Sequence, residues 1–297
     1  MRQVKVITDS CGDLPIGILE EYGIDYARMS TVFEGKESPA LLEWTQEEVR
    51  GHYDRMRAGG RITTAQVSVE EFHRIFENYL SLGMDVVYVG CSSGQSGSVN
   101  TGTVVARRVL EKYPEGKIFC IDSLNASLGE GMLAVEAAKL AREGLSAPEI
   151  ADRITAMRKR VNQFVTVHSL DALRRAGRVK GPAAFFGNLM GVKPIIIADA
   201  KGDQVAFKKV KGRENSFSQI VALLADAVQG TEVDTLWVAH ADCAEEEVSS
   251  LVEKLREAIP AKRIVVGYIG PIIGASIGPD AVGVWGFGKE VTLKAGE

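Results

Sequence analysis

The sequence predicts an α/β protein of two domains, an α/β/α domain with a parallel sheet followed by a two-layer α/β domain with a mixed sheet. In the first half, short apolar runs alternate with amphipathic stretches, which is typical of parallel strands joined by crossover helices. Past residue 160 a hairpin turn also joins apolar runs, which favours a mixed sheet. At 297 residues the chain is long enough for two domains, and we place them at 1–160 and 161–297.

Three strand-to-helix units are predicted in the first domain, each with a polar loop between its strand and its helix. In open α/β sheets the ligand crevice lies beyond the carboxyl ends of the strands, so the three loops are expected to meet. The units are strand 4–7 with helix 14–22, strand 86–89 with loop 92–98 and a helix, and strand 117–121 with loop 122–131 and helix 132–142.

A capping box is predicted between the first two units. Ser68 precedes Glu71 by three residues, directly before a run of apolar residues at helical spacing, 72–80. Thr63 and Thr64 lie just ahead of this helix. Their hydroxyls are expected either to cap the helix or to contact a ligand.

The second half predicts strands and helices in a different order. After a helix over 147–159, the pattern predicts a turn at 200–203 and a bend at 270–274. The predicted strands are 162–167, 192–197, 204–210, 235–239, 263–268 and 282–287, and the helices are 170–175, 220–228 and 245–259.

Charge and composition exclude several classes of protein. With 35 basic and 39 acidic residues the net charge is −4, so no nucleic-acid partner is expected. No run of about 18 apolar residues predicts a transmembrane segment, and the chain begins directly with a strand, so we expect a cytoplasmic protein. The four cysteines lie far apart in sequence, which favours reduced, packed thiols and gives no metal motif.

The loop over residues 91–98 is the strongest candidate for a binding site. Hydroxyls and glycines lie between a strand and a helix start, whose free N–H groups attract an anion. The segment 90–94 also matches the G-x-S-x-G elbow of hydrolases with Ser92 as the nucleophile, although no histidine or acid is placed to complete a triad. Neither a P-loop nor a dinucleotide fingerprint is present in the sequence.

Several motifs, taken together and in order, resemble the DegV family of bacterial fatty-acid-binding proteins. They span nearly the whole chain. They are Ile7-Thr8-Asp9-Ser10 with Asp13-Leu14-Pro15, Thr64-Ala65-Gln66-Val67-Ser68, Ser92-Ser93-Gly94-Gln95-Ser96-Gly97-Ser98, Ile121-Asp122-Ser123, Gly177-Arg178-Val179, Val192-Lys193-Pro194-Ile195 and Gly270-Pro271-Ile272-Ile273-Gly274.

This resemblance implies a carrier that encloses one long-chain fatty acid between its domains and has no catalytic residues or cofactor. In the family the carboxylate is bound by a threonine and by the Ser-Gly loop. Members present it to a fatty acid kinase, which makes the acyl phosphate for phospholipid metabolism. The ligand residues implied here are Thr64, Ser93, Ser96 and the N–H of Gly97, together with Ser276, Thr63, Ser10 and Gly274.

Two departures from the family pattern bear on its function. Ser276 stands where the family commonly has a histidine near the head group, and Asp280 replaces a glycine. These changes keep open a carrier of a different anionic amphiphile. In the basic segment 208–213, Lys211 and Arg213 are expected either to dock a kinase or to keep an exposed hairpin soluble. An enzyme similar to the substrate-binding subunit of dihydroxyacetone kinase is a further alternative, but no histidine lies in a comparable loop.

Overall fold

The computed structural model describes residues 2–168, 171–181 and 191–294. Fourteen strands and ten α-helices are assigned within these residues. The strands are β1 Val4–Asp9, β2 Asp25–Ala27, β3 Met29–Phe33, β4 Lys36–Ala40, β5 Ile62–Ala65, β6 Asp85–Gly90, β7 Ile118–Asp122, β8 Val161–Thr166, β9 Val179–Lys180, β10 Val192–Ala198, β11 Gln204–Lys211, β12 Val233–His240, β13 Ala261–Tyr268 and β14 Val282–Phe287. The helices are α1 Ile16–Tyr22, α2 Gln46–Arg57, α3 Val69–Ser81, α4 Ser98–Lys112, α5 Leu128–Arg142, α6 Ala147–Met157, α7 Asp171–Ala176, α8 Arg213–Val228, α9 Glu245–Ala258 and α10 Pro271–Ile277.

The first half forms the predicted α/β/α layers around a parallel sheet. Its strands lie in the order β2-β1-β6-β7, all parallel. Every residue of β6 is buried. Because successive side chains of a strand point to opposite sides, both faces of this strand are covered. Val86 and Tyr88 belong to the buried cluster that includes residues of α3 and α4, whereas Val87 and Val89 belong to the cluster that includes residues of α5 and α6. The helices therefore cover both faces of the sheet.

A small antiparallel sheet in the first half was not predicted. Its strands lie in the order β4-β3-β5, and Thr31 of β3 pairs with Thr64 of β5. Thr63 and Thr64 are therefore strand residues rather than caps. The predicted capping box is half formed: Ser68 Oγ accepts the N–H of Glu71 at 3.1 Å, but a carboxylate oxygen of Glu71 instead accepts the N–H of Arg28 at 3.0 Å.

The second half forms the predicted mixed sheet. Its order is β13-β12-β14-β8-β10-β11-β9, with parallel pairs at the two ends and antiparallel pairs between them. Helices α8 and α9 contribute Phe217, Leu224, Leu251 and Leu255 to a buried cluster that also holds residues of the sheet, such as Val284.

Helix α5 joins the two sheets into one core. It packs on β1 and β6 of the first sheet and also on β8, β12 and β14 of the second. One buried cluster accordingly holds Met132 and Leu133 of α5 together with Val165, Trp237 and Trp285 of the second sheet. Helix α10, which belongs to the second half, also crosses to the first half, where it packs against α2, β3 and β5. The domain boundary near residue 160 stays a prediction.

The largest differences from the predicted bounds are in three elements. Helix α5 begins at Leu128, four residues before the expected start, and α8 begins at Arg213 rather than at 220. The expected bend at 270–274 is the start of α10, with Gly270 as its N-cap and Pro271 in its first turn. Helix α7 begins at Asp171, and residue 170 of the predicted helix lies outside the described residues.

Within the described ranges, no helix has the length and apolarity needed to cross a membrane.

Gly131 of α5 allows a close approach to the loop after β1. A Cβ at Gly131 would lie 2.4 Å from the carbonyl oxygen of Gly12, which is backbone and cannot swing aside. We expect Gly131→Ala to lower the free energy of unfolding by roughly 3 kcal/mol, measured by urea denaturation. The matched control is Gly51→Ala in α2, where a Cβ meets nothing within 4 Å and stability should rise by up to about 1 kcal/mol. Equal effects of the two variants would contradict this packing argument.

Candidate functional site

A cavity of about 200 Å³ lies between the first half of the chain and the mixed sheet of the second half. Its lining comes from the loops after β1 and β6, from β5, from α10 and from the inner face of the second sheet. The apolar part of the wall includes Met29, Val165, Ile196, Ile272 and Ile277. All three predicted loops border it, because the carboxyl ends of adjacent parallel strands lie at one edge of the sheet. The third contributes Ala126 and Ser127.

Three predicted ligand residues of the first half line this cavity, namely Thr64, Ser96 and Gly97. Gly97 is the N-cap of the 15-residue helix α4, so free N–H groups and the positive end of the helix dipole face this region. A Cβ at Gly97 would lie 2.1 Å from Oε1 of Gln66. Gly97 therefore lets Gln66 cross the loop, where Gln66 donates to Thr101 Oγ1 at 2.7 Å.

The structure places four other predicted ligand residues outside the cavity lining. Ser93 is exposed and donates to Asp122 Oδ2 at 2.5 Å. Ser10 is buried and donates to the carbonyl of residue 40 at 2.7 Å, so it ties β1 to the small sheet. Gly274 packs against Tyr53, whose hydroxyl oxygen would lie 2.4 Å from an added Cβ. Thr63 is exposed and lines the outer basin described below rather than the cavity.

An outer basin of about 120 Å³ adjoins the cavity. The two share Thr64, Arg178 and Ser276, which therefore form the neck between them. Arg61 and Arg175 add further positive charge to the basin, and both side chains are exposed. The neck is thus a basic, hydroxyl-bearing opening into an apolar cavity.

Arg178 was not among the predicted ligand residues. Its Nη1 donates to the carbonyl of Ala176 at 2.6 Å. Its side chain is exposed and borders the cavity. Among the described residues that line the cavity, Arg178 is the only charged one. The Gly177-Arg178-Val179 motif was the available signal for this position.

Of the two departures from the family pattern, Ser276 lies at the neck, whereas Asp280 is in neither lining. Ser276 lines the cavity from the last turn of α10. The carboxylate of Asp280 accepts from Arg57 at 2.6 Å, and Arg57 also contacts Asp242 at 2.7 Å and Asp54 at 2.9 Å. Asp280 is therefore one of three carboxylates that share the guanidinium of Arg57.

Three buried carboxyl groups lie around the loop after β1, namely Asp9 at the end of β1, Asp13 in the loop and Glu130 in the first turn of α5. Burial raises the pKa of Asp9 and raises that of Glu130 well above its usual value. Burial also raises the pKa of Asp13 to about 8, against the opposing hydrogen bond from Ser127 Oγ at 2.6 Å. Asp9 accepts the N–H groups of Cys11 at 2.8 Å and Cys91 at 3.2 Å, so it fixes both loops.

Within the described residues, one group of side chains, Cys11, Cys91 and Glu130, is close enough together to hold a metal ion. Their ligand atoms lie within 4.8 Å of one another, and all three are buried. The Cys11 thiol has a pKa well above its usual value, first because of its hydrogen bond with Cys91 and then because of burial. The Cys11 thiol is therefore held protonated at neutral pH. The expectation that the protein has no cofactor stays a prediction.

The Ser92 hydroxyl is held by backbone groups rather than by a base. Its Oγ donates to the carbonyl of Gly202 at 2.8 Å and accepts the N–H of Gly94 at 3.2 Å, and the residue is fully buried. A serine nucleophile needs a neighbouring base. The geometry of Ser92 supports a structural link between the loop after β6 and the turn before β11.

Lys211 and Arg213 have different surroundings. Arg213 forms a two-pronged ion pair with Glu247, at 3.0 Å for each contact, and packs over the ring of Phe217. Its side chain is therefore committed to the fold. Lys211 is exposed at the end of β11, so of the two it is the better candidate for a partner contact. Docking of a kinase at either residue stays a prediction.

The family profile of DegV, described as an uncharacterised protein family, matches residues 3–288. The chain belongs to the DegV family. A DegV domain-containing protein of Clostridium perfringens (strain 13 / Type A) is 31% identical over 288 residues, which cover 97% of this chain and 98% of that relative. The resemblance noted in the sequence is thus confirmed.

Solved DegV structures share the whole fold. A DegV lipid-binding protein from Thermotoga maritima matches with a TM-score of 0.84 and 26% identity, covering 98% of this chain and all of the other. DegV from Bacillus subtilis, a fatty-acid-binding protein, matches with a TM-score of 0.82 and 26% identity, covering 97% of this chain and all of the other. The predicted α/β class and DegV-like fold are confirmed.

Proposed function

We propose that this DegV protein binds one long-chain fatty acid in the cavity between its sheets. The observation that carries the proposal is an apolar cavity whose neck brings together Thr64, Arg178 and Ser276. Such an opening suits a ligand with one anionic end and a long apolar body. The fatty-acid-binding protein of Bacillus subtilis, with the same fold along its whole length, supports this choice of ligand.

The apolar wall supplies most of the affinity. A saturated chain of roughly sixteen carbons gains about 0.8 kcal/mol per buried CH₂, on the order of 12 kcal/mol in total. Immobilising the chain and desolvating its carboxylate offset a large part of this gain. The polar groups at the neck therefore fix the orientation of the acid more than they add affinity.

The carboxylate is bound by the Thr64 hydroxyl, the Ser96 hydroxyl, the Gly97 N–H and Arg178. Ser98 supports this arrangement, because its Oγ accepts the N–H of Val67 at 3.2 Å and lies 2.9 Å from Ser96 Oγ. With Ser98 donating to Ser96, the proton of Ser96 is left to donate to the acid. Hydrogen bonds to an ionised acceptor are stronger than neutral ones.

The deciding experiment identifies the natural ligand. Protein purified without added lipid is extracted with organic solvent, and the extract is analysed by mass spectrometry. We expect about one equivalent of a long-chain fatty acid. A different amphiphile in the extract, such as a lysolipid, would favour the alternative carrier that Ser276 left open. An empty protein that takes up no fatty acid on incubation would rule the proposal out.

Removing the hydroxyl of Thr64 at the neck and that of Ser96 in the cavity wall tests the head-group assignment. We expect Thr64→Ala with Ser96→Ala to weaken fatty acid binding roughly 30-fold, because two charge-assisted hydrogen bonds are lost. Displacement of a fluorescent fatty acid measures this. Ser38→Ala is the control, since Ser38 is an exposed hydroxyl of β4 that lines neither the cavity nor the outer basin, and it should leave affinity unchanged. Normal binding by the double variant would remove the head-group assignment.

We further propose that the bound carboxylate is presented to a fatty acid kinase. The outer basin supports this, because Arg61 and Arg175 can attract a phosphate that approaches the neck. The test mixes acid-loaded protein with ATP and a purified bacterial fatty acid kinase, and traps acyl phosphate with hydroxylamine. Acyl hydroxamate is the expected product. If the kinase uses loaded Bacillus subtilis DegV but not this protein, the chain is a carrier with another destination.

A further inference from the structure

We propose that the cavity accepts an acyl chain that carries a hydroxyl group, and that two buried glutamines recognise this group. The inference rests on the proposed fatty acid function and names its substrate class. Gln163 of β8 and Gln204 of β11 both line the cavity and are only 5% and 8% exposed. A cavity for a plain hydrocarbon chain has no need of two amides in its wall.

The two side chains form a reciprocal pair. Nε2 of Gln163 donates to Oε1 of Gln204 at 2.5 Å, and Nε2 of Gln204 donates to Oε1 of Gln163 at 3.4 Å. Oε1 of Gln163 also accepts the indole N–H of Trp285 at 3.4 Å. The strand register places Trp285 opposite Gln163, and Gln204 opposite Val179, the residue after Arg178. A polar row therefore crosses the floor of the cavity and ends beside the neck.

The pair has unused hydrogen-bonding capacity. Each amide nitrogen carries two protons and uses one of them within the pair, and the oxygen of Gln204 accepts one of the two bonds it can accept. Within the described part of the chain, no side chain or backbone group takes up the remaining protons. Buried donors without partners are costly, so a ligand that covers this row with methylene groups alone is penalised.

A hydroxyl group matches this capacity, because it both donates and accepts. It can accept an N–H from one amide and donate to the free lone pair of Gln204. The wall elsewhere is largely apolar, with Val165, Ile196 and Leu173 nearby in the lining. The same cavity therefore accommodates the hydrocarbon parts of the chain on either side of the hydroxyl.

The test compares stearic acid with its 3-, 10- and 12-hydroxy derivatives on delipidated protein, by displacement of a fluorescent fatty acid. We expect at least one hydroxy acid to bind about tenfold more tightly than stearic acid, since it satisfies the amide pair. The double variant Gln163→Leu with Gln204→Leu should lose this preference and bind stearic acid more tightly than the unaltered protein does. Gln229→Leu, at an exposed glutamine outside the cavity, is the control and should keep the preference.

Three results of this comparison would contradict the inference. Stearic acid binding as tightly as every hydroxy acid would overturn the inference while leaving the fatty acid function intact. A preference that survives in the double variant would also overturn it, because the glutamines would then not be its cause. If neither stearic acid nor any hydroxy acid binds, both this inference and the fatty acid function fail. The comparison of ligands on the unaltered protein holds even if the double variant does not fold.

Discussion

Reversing the charge of Arg178 is expected to weaken fatty acid binding about 100-fold, which corresponds to roughly 2.7 kcal/mol. In Arg178→Glu the neck loses the one charged residue that the described cavity lining contains and gains a carboxylate next to the carboxylate of the ligand. Because Arg178 is exposed, the substitution should leave the fold intact. Dissociation constants for a fluorescent fatty acid, measured at low and at high salt, report the change.

The control for this charge reversal is Arg107→Glu, an exposed position on α4 outside the cavity and the basin. It changes the net charge by the same amount and should leave affinity nearly unaltered. The loss in Arg178→Glu should shrink at high salt, since an exposed charge is screened. Equal losses in the two variants would mean that net charge, and not the neck, governs binding.

Replacing Asp13 with Asn is expected to flatten the dependence of stability on pH. The folded protein holds the Asp13 carboxyl protonated up to a pKa of about 8, whereas an unfolded chain releases that proton near its ordinary pKa of 3.8. Between these values the folded state binds the extra proton, so the free energy of unfolding falls as pH rises. The stabilisation is complete below about pH 4 and is lost through pH 8. From pH 6 to pH 8 this one group costs roughly 2 kcal/mol.

Urea denaturation of the unaltered protein and of Asp13→Asn at several pH values measures this effect. The variant should be the more stable of the two at pH 8 and should lose less stability between pH 6 and pH 8. Asp152→Asn, at an exposed carboxylate of α6, serves as the control and should keep the slope of the unaltered protein. An unchanged slope in Asp13→Asn would show that Asp13 is ionised in the folded protein. The remaining slope combines Asp9 and Glu130, whose raised pKa values act in the same direction, with His52 and His240, whose pKa values burial lowers to about 4 and which act in the opposite direction.

The sequence predicted the buried parallel strands well, because strands covered on both faces have uninterrupted apolar runs. The small antiparallel sheet had no such signal. Its strand β4 carries Lys36, Glu37 and Pro39, is mostly exposed, and is fixed by pairing with β3 rather than by its own composition. Helix α8 began earlier than predicted, because its polar first turn is held by the ion pair of Arg213 with Glu247. That contact joins residues far apart in the chain.

The candidate site could be predicted only in part, again because contacts between distant parts of the chain leave no local signal. The hydroxyl loop after β6 could be found from its composition, but which hydroxyls face the cavity depends on the path of the backbone. Ser96 lines the cavity, whereas Ser93 is bonded to Asp122. Gln163 and Gln204 gave no local signal, since they meet only through the register of β8, β10 and β11. Long-range pairing of this kind is absent from any local pattern.

The position of α5 between the sheets limits how this fold can be divided. Its side chains share one buried cluster with Val165 and Trp285, so the surface of each half is shaped to fit the other. A chimaera that joined residues 1–160 to the second half of a relative 31% identical would bring together faces that do not match. Natural variants of this protein are therefore expected to diverge by coordinated substitution across that cluster, and to exchange loops far more readily than halves.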